Sequence, residues 1–165
     1  MNLRTMKPRD LAQLDRLQRI AYGEYFLEST DVILDKIQVA SQSCFVLEDT
    51  VDNNDVLRAY TISHPYHNQQ VPPLDQPLNP EYCTPSTNWY LHDLALDVGV
   101  RGQGIAQQLL DQVFIFARNQ HCQSIALVAV QNSVPFWQKQ GFAVTQPQPN
   151  VASYGADARY MQRLL

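Results

Sequence analysis

The sequence predicts a single-domain α/β protein in which helices flank a mixed β-sheet. Its 165 residues match the length of one domain. Segments with strand-like hydrophobicity are interleaved with segments of helical periodicity. The continuous apolar run at 125–130 is typical of a strand buried on both faces. Because this run follows a strand, a turn and a helix, we expect at least one right-handed βαβ crossover.

The N-terminal half predicts one strand, two helices and a hairpin. Leu11, Leu14, Leu17 and Ile20 recur at helical spacing after Pro8, which suits the first turn of a helix. The predicted elements are a strand at 3–6, a helix from 8 to 23, a helix capped by residues 29–31, and strands at 44–47 and 56–63 joined by a turn at 52–55.

A proline-rich segment at 64–87 separates this half from the next predicted strand. It contains six prolines, at positions 65, 72, 73, 77, 80 and 85. Long connections without periodicity inside compact domains are usually lids or binding loops. We therefore interpret the segment as an inserted functional loop of the same domain, 1–165, rather than as a linker between domains.

The C-terminal half alternates strands and helices. An aromatic and aliphatic strand is followed at once by a glycine turn and a strongly amphipathic helix. The predicted elements are strands at 89–96 and 124–130, a helix from 105, a short helix from 132 to 141, and closing strands at 142–145 and 158–164.

The composition excludes several classes of protein. A formal net charge of −4 disfavours a nucleic-acid partner, because phosphate binding requires a basic surface. No apolar run approaches the roughly 20 residues of a membrane helix, and residues 1–7 lack the apolar part of a secretory signal. Cys44, Cys83 and Cys122 are too widely separated for a disulfide framework or a zinc pair. We expect a cytoplasmic protein with no metal and no nucleic-acid or membrane partner.

Three of the six glycines, Gly99, Gly102 and Gly104, lie in the turn between the predicted central strand and the helix that follows. The first amides of a helix have no intrahelical partners, and the helix dipole is positive at that end. A glycine-rich turn opening a helix therefore predicts a site for a phosphate-bearing ligand.

Two common phosphate loops do not fit this turn. A Walker loop requires lysine after its last glycine, where Ile105 stands. A dinucleotide loop requires glycine or alanine where Gln107 stands, and an acid about 20 residues further on. No acid occurs between Asp111 and Asp157.

Residues 101–106 have the sequence Arg-Gly-Gln-Gly-Ile-Ala, and residues 132–142 end with Trp137-Gln-Lys-Gln-Gly141-Phe142. The first segment resembles the [Gln/Arg]-x-x-Gly-x-[Gly/Ala] pyrophosphate loop of the GNAT acetyltransferase superfamily. The second resembles that superfamily's motif B, which ends in aromatic-x-x-x-Gly-Phe. The strand at 90–96 and residues 134–137 are similar to the matching parts of arylalkylamine N-acetyltransferases.

The resemblance implies the GNAT fold, a mostly antiparallel sheet flanked by helices and splayed at its central strands. It also implies acetyl-CoA as co-substrate, its pyrophosphate held by the backbone amides of the turn. Its acetyl and pantetheine groups would pair with the main chain of the preceding strand. The expected cofactor-binding residues are Leu94, Leu96, Val98, Arg101, Gly102, Gln103, Gly104, Ile105, Ala106, Asn132, Phe136 and Trp137.

His92 is the predicted general base for a reaction that requires a deprotonated amine. An ordinary histidine pKa near 6.5 suits that role. Period-two alternation would place His92 on the face of Leu94 and Leu96 unless a bulge intervenes, and Asp93 on the opposite face as a structural partner. In the arylalkylamine enzymes that the strand resembles, paired histidines move the proton; here Tyr90 occupies the other position.

Trp137 is the main departure from the family pattern. Many relatives have at this position a tyrosine that protonates the leaving thiolate. Tryptophan is an N–H donor only and does not supply this proton at physiological pH. Tyr154 is the predicted substitute; the alternatives are a surface-packing role for Tyr154 and departure of the thiolate without an acid.

The resemblance places an acceptor pocket between the first helical loop and the final hairpin. Aromatic side chains and one acid there would hold an ammonium group by stacking and cation–π contact. The expected substrate-binding residues are Tyr22, Tyr25, Phe26, Glu28, His64 and Tyr90.

The function expected from these features is direct transfer of an acetyl group from acetyl-CoA to the primary amine of a small molecule. The proline-rich segment favours a small acceptor, because it would narrow the acceptor side. Two alternatives stay open: acetylation of a protein N-terminus or lysine, and a non-catalytic acyl-CoA sensor, which the missing tyrosine motivates. The sequence is compatible with a monomer or a homodimer.

Overall fold

The computed structural model describes residues 1–84 and 86–165, and its centre is one seven-stranded sheet in the order β1-β2-β3-β4-β5-β7-β6. The strands are β1 Asn2–Thr5, β2 Phe45–Val51, β3 Asn54–Pro65, β4 Asn88–Leu96, β5 Ser124–Ala129, β6 Ala143–Val144 and β7 Arg159–Leu164. β4 and β5 pair in parallel, and every other neighbouring pair is antiparallel.

Helices cover both faces of the sheet. They are α1 Leu11–Tyr22, α2 Thr30–Val39, α3 Ile105–Asn119 and α4 Val134–Lys139. α1 ends at Gly23, whose φ of +67° is strained for any other residue. Within the described ranges, none of the helices has the length and apolarity needed to cross a membrane.

The two faces carry separate hydrophobic clusters. The buried side of α3, with Leu109, Leu110 and Val113, packs with Trp89 and Leu91 of β4. On the opposite face, α1 and α2 pack on a second cluster that includes Ala95 of the same strand. Side chains of β4 therefore contribute to both layers, and the strand lies at the centre of the molecule.

A bulge in β4 interrupts its pairing with β3. Asp93 pairs with Ile62 and Leu91 pairs with Ser63, so His92 is the extra residue. The parallel pairing of β4 with β5 stops after Tyr90. Beyond that point the two strands diverge and leave a cleft.

The structure confirms the predicted fold class, including the splayed central strands, and corrects several bounds. β3 extends to Pro65, so His64 lies in a strand rather than at the start of a loop. β4 ends at Leu96, and Val98 opens a 3₁₀ turn, Val98–Val100, where it cannot extend a ladder. The proline-rich segment contains a second such turn, Pro80–Cys83. Pro85 lies outside the described residues.

Candidate active site

A cavity of about 470 Å³ occupies the cleft between β4 and β5. Side chains of β4, β5 and α4 form its walls, the end of α1 and the following loop cover one side, and the glycine turn closes one end. Its chemically active lining residues are Tyr22, Glu28, His92, Asp93, Arg101, Ser133 and Tyr154. The apolar walls include Phe26, Leu74, Leu91, Leu94, Leu96, Leu127, Val128, Val130, Phe136 and Trp137.

The glycine turn presents free amide groups at this cavity. Gly102 and Gly104 both have a φ of +76°, the left-handed conformation that glycine adopts without strain. Among the described residues, the backbone N–H groups from Gly102 to Gln107 have no hydrogen-bond acceptor. The first backbone N–H of the helix that does have one is that of Gln108, which donates to the Gly104 carbonyl at 3.1 Å. With the positive end of the α3 dipole, this turn is an anion cradle.

The edge of β4 that faces β5 is open beyond Tyr90. In an antiparallel ladder, alternate residues direct their N–H and C=O groups to the same side. The Asp93 carbonyl accepts a hydrogen bond from Thr61 Oγ1 of β3 at 2.8 Å. Leu94 and Leu96 therefore direct their main-chain groups into the cleft, where an extended ligand can pair with them.

Two side chains reach this open edge. The Tyr22 hydroxyl lies 2.8 Å from the Leu94 carbonyl oxygen, and the Leu94 N–H donates to it at 3.3 Å. The Arg101 guanidinium donates to the Leu96 carbonyl at 3.3 Å and to the Ile20 carbonyl at 3.4 Å. Arg101 thus links the glycine turn to α1 and adds a positive charge beside the cradle.

The bulge sets the orientation of His92. Leu94 and Leu96 pack with the α3 cluster, whereas Nε2 of His92 lies 2.5 Å from Oε1 of Glu28, in the α1–α2 loop. His92 and Asp93 therefore share the α1–α2 face: a bulge intervenes, which is the case in which His92 is not expected on the face of the two leucines. The extra residue shifts the alternation of the strand by one position.

Glu28 is the centre of a buried ion-pair network. Its second oxygen, Oε2, accepts hydrogen bonds at 3.0 Å from both Lys36 Nζ and the Asp75 backbone N–H. The Lys36 side chain has no exposed surface. Burial raises the pKa of the Glu28 carboxyl, but the neighbouring His92 and the Lys36 ammonium outweigh it and lower the pKa from 4.5 to about 2. The carboxylate stays ionised and holds His92 in place.

Asp93 joins two tyrosines on the same face. Tyr22 is hydrogen-bonded to Oδ1 of Asp93, and Tyr60 of β3 to Oδ2. Burial raises the pKa of the Asp93 carboxyl above its usual range, although both tyrosine hydrogen bonds act in the opposite direction. The expectation that Asp93 is a structural partner agrees with these contacts.

The hydroxyl of Tyr154 and the indole of Trp137 are both engaged at the cavity. Tyr154 donates to the Pro72 carbonyl at 2.7 Å, and burial raises its pKa well above the ordinary value. Trp137 Nε1 donates to Ser133 Oγ at 3.2 Å. Both side chains line the cavity, but neither is free to donate in this arrangement.

A profile of the acetyltransferase (GNAT) family matches residues 11–142. The chain belongs to this family. It is an acyl-CoA-dependent acyltransferase, and acetyl-CoA is consistent with the free amides, the adjacent arginine and the open strand edge described above. The match covers the glycine turn and motif B, the two segments that carried the resemblance.

Solved structures of this family share the fold over nearly the whole chain. Ard1 from Thermoplasma volcanium is 20% identical with a TM-score of 0.72, covering 99% of this chain and 97% of its own. The loading GNATL domain of CurA from Lyngbya majuscula is 16% identical with a TM-score of 0.78, covering 99% and 96%. Rv2747 from Mycobacterium tuberculosis, in complex with CoA and NLQ, is 14% identical with a TM-score of 0.71, covering 100% and 99%. A search of curated protein sequences gives no significant match.

Several residues predicted for the GNAT site lie outside the cavity lining. Tyr25 is 64% exposed and packs edge-on against Phe26. His64 and Tyr90 are buried and stack on each other, with ring centroids 5.5 Å apart, because they lie on β3 and β4 where these strands are still fully paired. These three side chains are absent from the cavity lining, and their contact with an acceptor stays a prediction.

The predicted cofactor residues divide in the same way. Leu94, Leu96, Arg101, Gly102, Ala106, Phe136 and Trp137 line the cavity, whereas Val98, Gln103, Gly104, Ile105 and Asn132 do not. Gln103, Gly104 and Ile105 contribute free backbone N–H groups only, since the Ile105 side chain is buried in the core and Gln103 Nε2 donates to the Gly99 carbonyl at 2.8 Å. Val98 is 65% exposed, beyond the end of the strand.

Sequence reasoning missed Lys36, Leu74 and Gln131. Leu74 and Gln131 line the cavity, and Gln131 Nε2 donates to the Tyr22 carbonyl at 3.2 Å. Lys36 carried one usable signal: it lies next to Ile37 and three residues after Ile33 on the apolar face of a predicted helix. A lysine at such a position needs a buried partner.

Proposed function

We propose that this protein transfers an acetyl group from acetyl-CoA directly to the primary amine of a small molecule. The observation that carries the proposal is the position of His92, fixed by Glu28 and facing a cavity that also contains the open edge of β4 and the anion cradle. Acetyl-CoA supplies the acyl group as an activated thioester; the chain supplies the binding surfaces and the base.

His92 is built to accept a proton on Nδ1. When Nε2 donates to the Glu28 carboxylate, Nδ1 is left as the acceptor. Nδ1 is buried and has no hydrogen-bond partner among the described residues. An unpaired buried polar atom is costly, so its retention supports a role that a bound acceptor completes.

In the proposed reaction, His92 and Glu28 account for the proton that the amine loses. The amine nitrogen forms a bond to the thioester carbon, and the carbon–sulfur bond breaks with its electron pair going to sulfur. His92 takes the proton lost by the amine, and Glu28 stabilises the resulting imidazolium, as a carboxylate does for histidine in hydrolytic triads. The thiolate leaves without a dedicated acid, which its low basicity allows.

The proline-rich segment favours a small acceptor. Leu74 of this segment lines the cavity. The Pro72 carbonyl accepts a hydrogen bond from the Tyr154 hydroxyl, and the Leu74 N–H donates to Ser153 Oγ at 3.2 Å. The acceptor side is thereby narrowed by a segment fastened to the final hairpin.

The walls favour an aromatic or aliphatic amine. Glu28 cannot serve as a free anion for an ammonium group, because Lys36 and His92 already occupy its oxygens. Asp93 is likewise bonded to two tyrosines. Recognition would then fall to aromatic faces such as Phe26 and Trp137, which bind amines by stacking and cation–π contact.

The test is the release of CoA thiol from acetyl-CoA between pH 6 and pH 9 with aryl-alkylamines, polyamines, amino acids and peptides. We expect release with one class of small amine, and a much slower release across this pH range in His92→Gln. Release with peptides alone would favour a protein acetyltransferase. Thermal stabilisation by acetyl-CoA without release from any acceptor would favour a sensor, and either result would overturn the proposal.

A further inference from the structure

The hydroxyl of Tyr22 occupies the open edge of β4 where a thioester carbonyl would dock. It is within hydrogen-bond distance of both the N–H and the C=O of Leu94. The Tyr22 main chain is also fixed, because its carbonyl accepts from Gln131 Nε2 across the mouth of the cleft at 3.2 Å. The last residue of α1 is therefore held at this edge by both its side chain and its backbone.

Asp93 positions the Tyr22 hydroxyl, and Tyr60 in turn positions Asp93. Asp93 bonds to Tyr22 through one oxygen and to Tyr60 through the other. Tyr60 has no exposed surface and is absent from the cavity lining. Since Asp93 lies on this face of β4, the strand that presents the Leu94 backbone also presents the support for the tyrosine.

Two other side-chain donors that line this part of the cavity are occupied. Trp137 is bonded to Ser133 and Tyr154 to the Pro72 carbonyl. The Leu94 N–H points at the Tyr22 oxygen, so a carbonyl that reaches this edge meets the hydroxyl as well as the amide.

We propose that Tyr22 is a catalytic residue whose hydroxyl donates a hydrogen bond to the thioester carbonyl oxygen of the bound acyl-CoA, with Asp93 and Tyr60 as positioning residues. This inference rests on the proposed function and deepens it. As the amine attacks, negative charge develops on the carbonyl oxygen, and a fixed donor stabilises that charge. The hydroxyl keeps its proton throughout, and no bond of Tyr22 is made or broken.

The electrostatic setting supports a donor that stays protonated. Burial and the neighbouring Asp93 raise the pKa of the Tyr22 hydroxyl well above its ordinary value. The Tyr22 hydroxyl has one proton, and both Asp93 Oδ1 and the Leu94 carbonyl oxygen are within its reach. In the proposed step this proton turns to the incoming carbonyl oxygen, while Tyr60 still donates to Oδ2 of Asp93. Removing one such donor typically costs about 10²–10³-fold in kcat.

The first measurement is the infrared carbonyl band of acetyl-CoA labelled with ¹³C at the thioester carbon, bound to wild type and to Tyr22→Phe without acceptor. We expect the wild-type band to lie below that of free acetyl-CoA and the band in Tyr22→Phe to return toward the free value. Tyr25→Phe, from the same segment but outside the cavity, is the matched control and should keep the wild-type band. Tyr60→Phe should give a partial return, because it removes support but not the donor.

The second measurement is steady-state kinetics with the accepted amine. We expect Tyr22→Phe to lower kcat by about 10²–10³-fold with little change in the KM for acetyl-CoA. An unchanged carbonyl band in Tyr22→Phe would overturn the inference even if kcat falls. Failure of the wild-type protein to bind acetyl-CoA would instead overturn the proposed function, and this inference with it; binding with a shifted band but no accepted amine would leave the inference supported and refute only the proposed reaction.

Discussion

Replacing Glu28 by glutamine tests the buried network more directly than any other single change. The substitution keeps the size of the side chain but removes its charge. Lys36, which is fully buried, loses the anion 3.0 Å from its ammonium. His92 loses the carboxylate that fixes its Nε2. We expect both the free energy of unfolding and the rate of catalysis to fall.

Two independent arguments give the expected loss in the free energy of unfolding. The pKa of Glu28 is about 2 in the folded protein against 4.5 as the ordinary value, and at about 1.4 kcal/mol per pKa unit this difference is worth about 3 kcal/mol at neutral pH. Breaking a buried ion pair by removing one partner typically costs about 3–5 kcal/mol. Because the folded pKa is lowered, this stabilisation is present above about pH 4.5 and is lost as the pH falls toward 2.

The assay is urea unfolding at pH 7 for wild type, Glu28→Gln, Lys36→Met and the double variant. We expect Glu28→Gln to lower the free energy of unfolding by about 3–5 kcal/mol, which corresponds to a fall of roughly 6–20 °C in melting temperature, at about 2–4 °C per kcal/mol for a chain of this length. The double variant should be more stable than the sum of the single losses predicts. Asp15→Asn, which removes an exposed partner of Arg19, is the control and should show no measurable change. Strict additivity of the two single losses would refute the coupling.

Three further changes test other parts of the molecule. His92→Gln should lower kcat by about 10²–10⁴-fold without weakening acetyl-CoA binding, as measured by calorimetry; wild-type turnover in this variant would exclude His92 as the base. Gly104→Ala should weaken acetyl-CoA binding and cost about 1–2 kcal/mol of stability, since the φ of Gly104 is +76°. Gly99→Ala, whose added Cβ meets nothing closer than 3.7 Å, is the control and should change neither property. Equal affinities of the two variants for acetyl-CoA would contradict the role of the turn. Burial lowers the pKa of His64 from 6.5 to about 3, so the contribution of neutral His64 to the free energy of unfolding is present above pH 6.5 and is lost as the pH falls. Between pH 6.5 and 5 the free energy of unfolding of His64→Phe should therefore fall less steeply than that of wild type, by up to about 1.4 kcal/mol per pH unit. Parallel curves in urea titrations would show that His64 is not the group responsible.

The sheet and the glycine turn could be predicted because their signals are local. Hydrophobic period, the cluster of glycines and the aromatic-x-x-x-Gly-Phe ending each depend on residues close in the chain. The partners of His92 and Asp93 could not be predicted in this way. Glu28 and Lys36 come from a loop and a helix far along the chain from β4, and their pairing depends on packing.

One local feature also escaped prediction, although it lies within a predicted strand. Simple alternation assigns His92 and Asp93 to opposite faces, and a bulge of one residue places both on the same face. Nothing in residues 88–96, which contain no glycine or proline, marks the bulge. Its position follows from the pairing of β4 with β3, which is a property of two strands rather than one.

The hydrogen bond between the Asp75 N–H and Glu28 connects the proline-rich segment to the base that we propose. The proline-rich segment that narrows the acceptor side also contributes one of the donors that hold the carboxylate behind His92. If the segment moved to admit an amine or release a product, that bond would break and Glu28 would lose one of the three donors that bind its oxygens. On the proposed mechanism, His92 would be fully positioned only while the segment is in place, which would limit hydrolysis of acyl-CoA whenever the cavity is open to water.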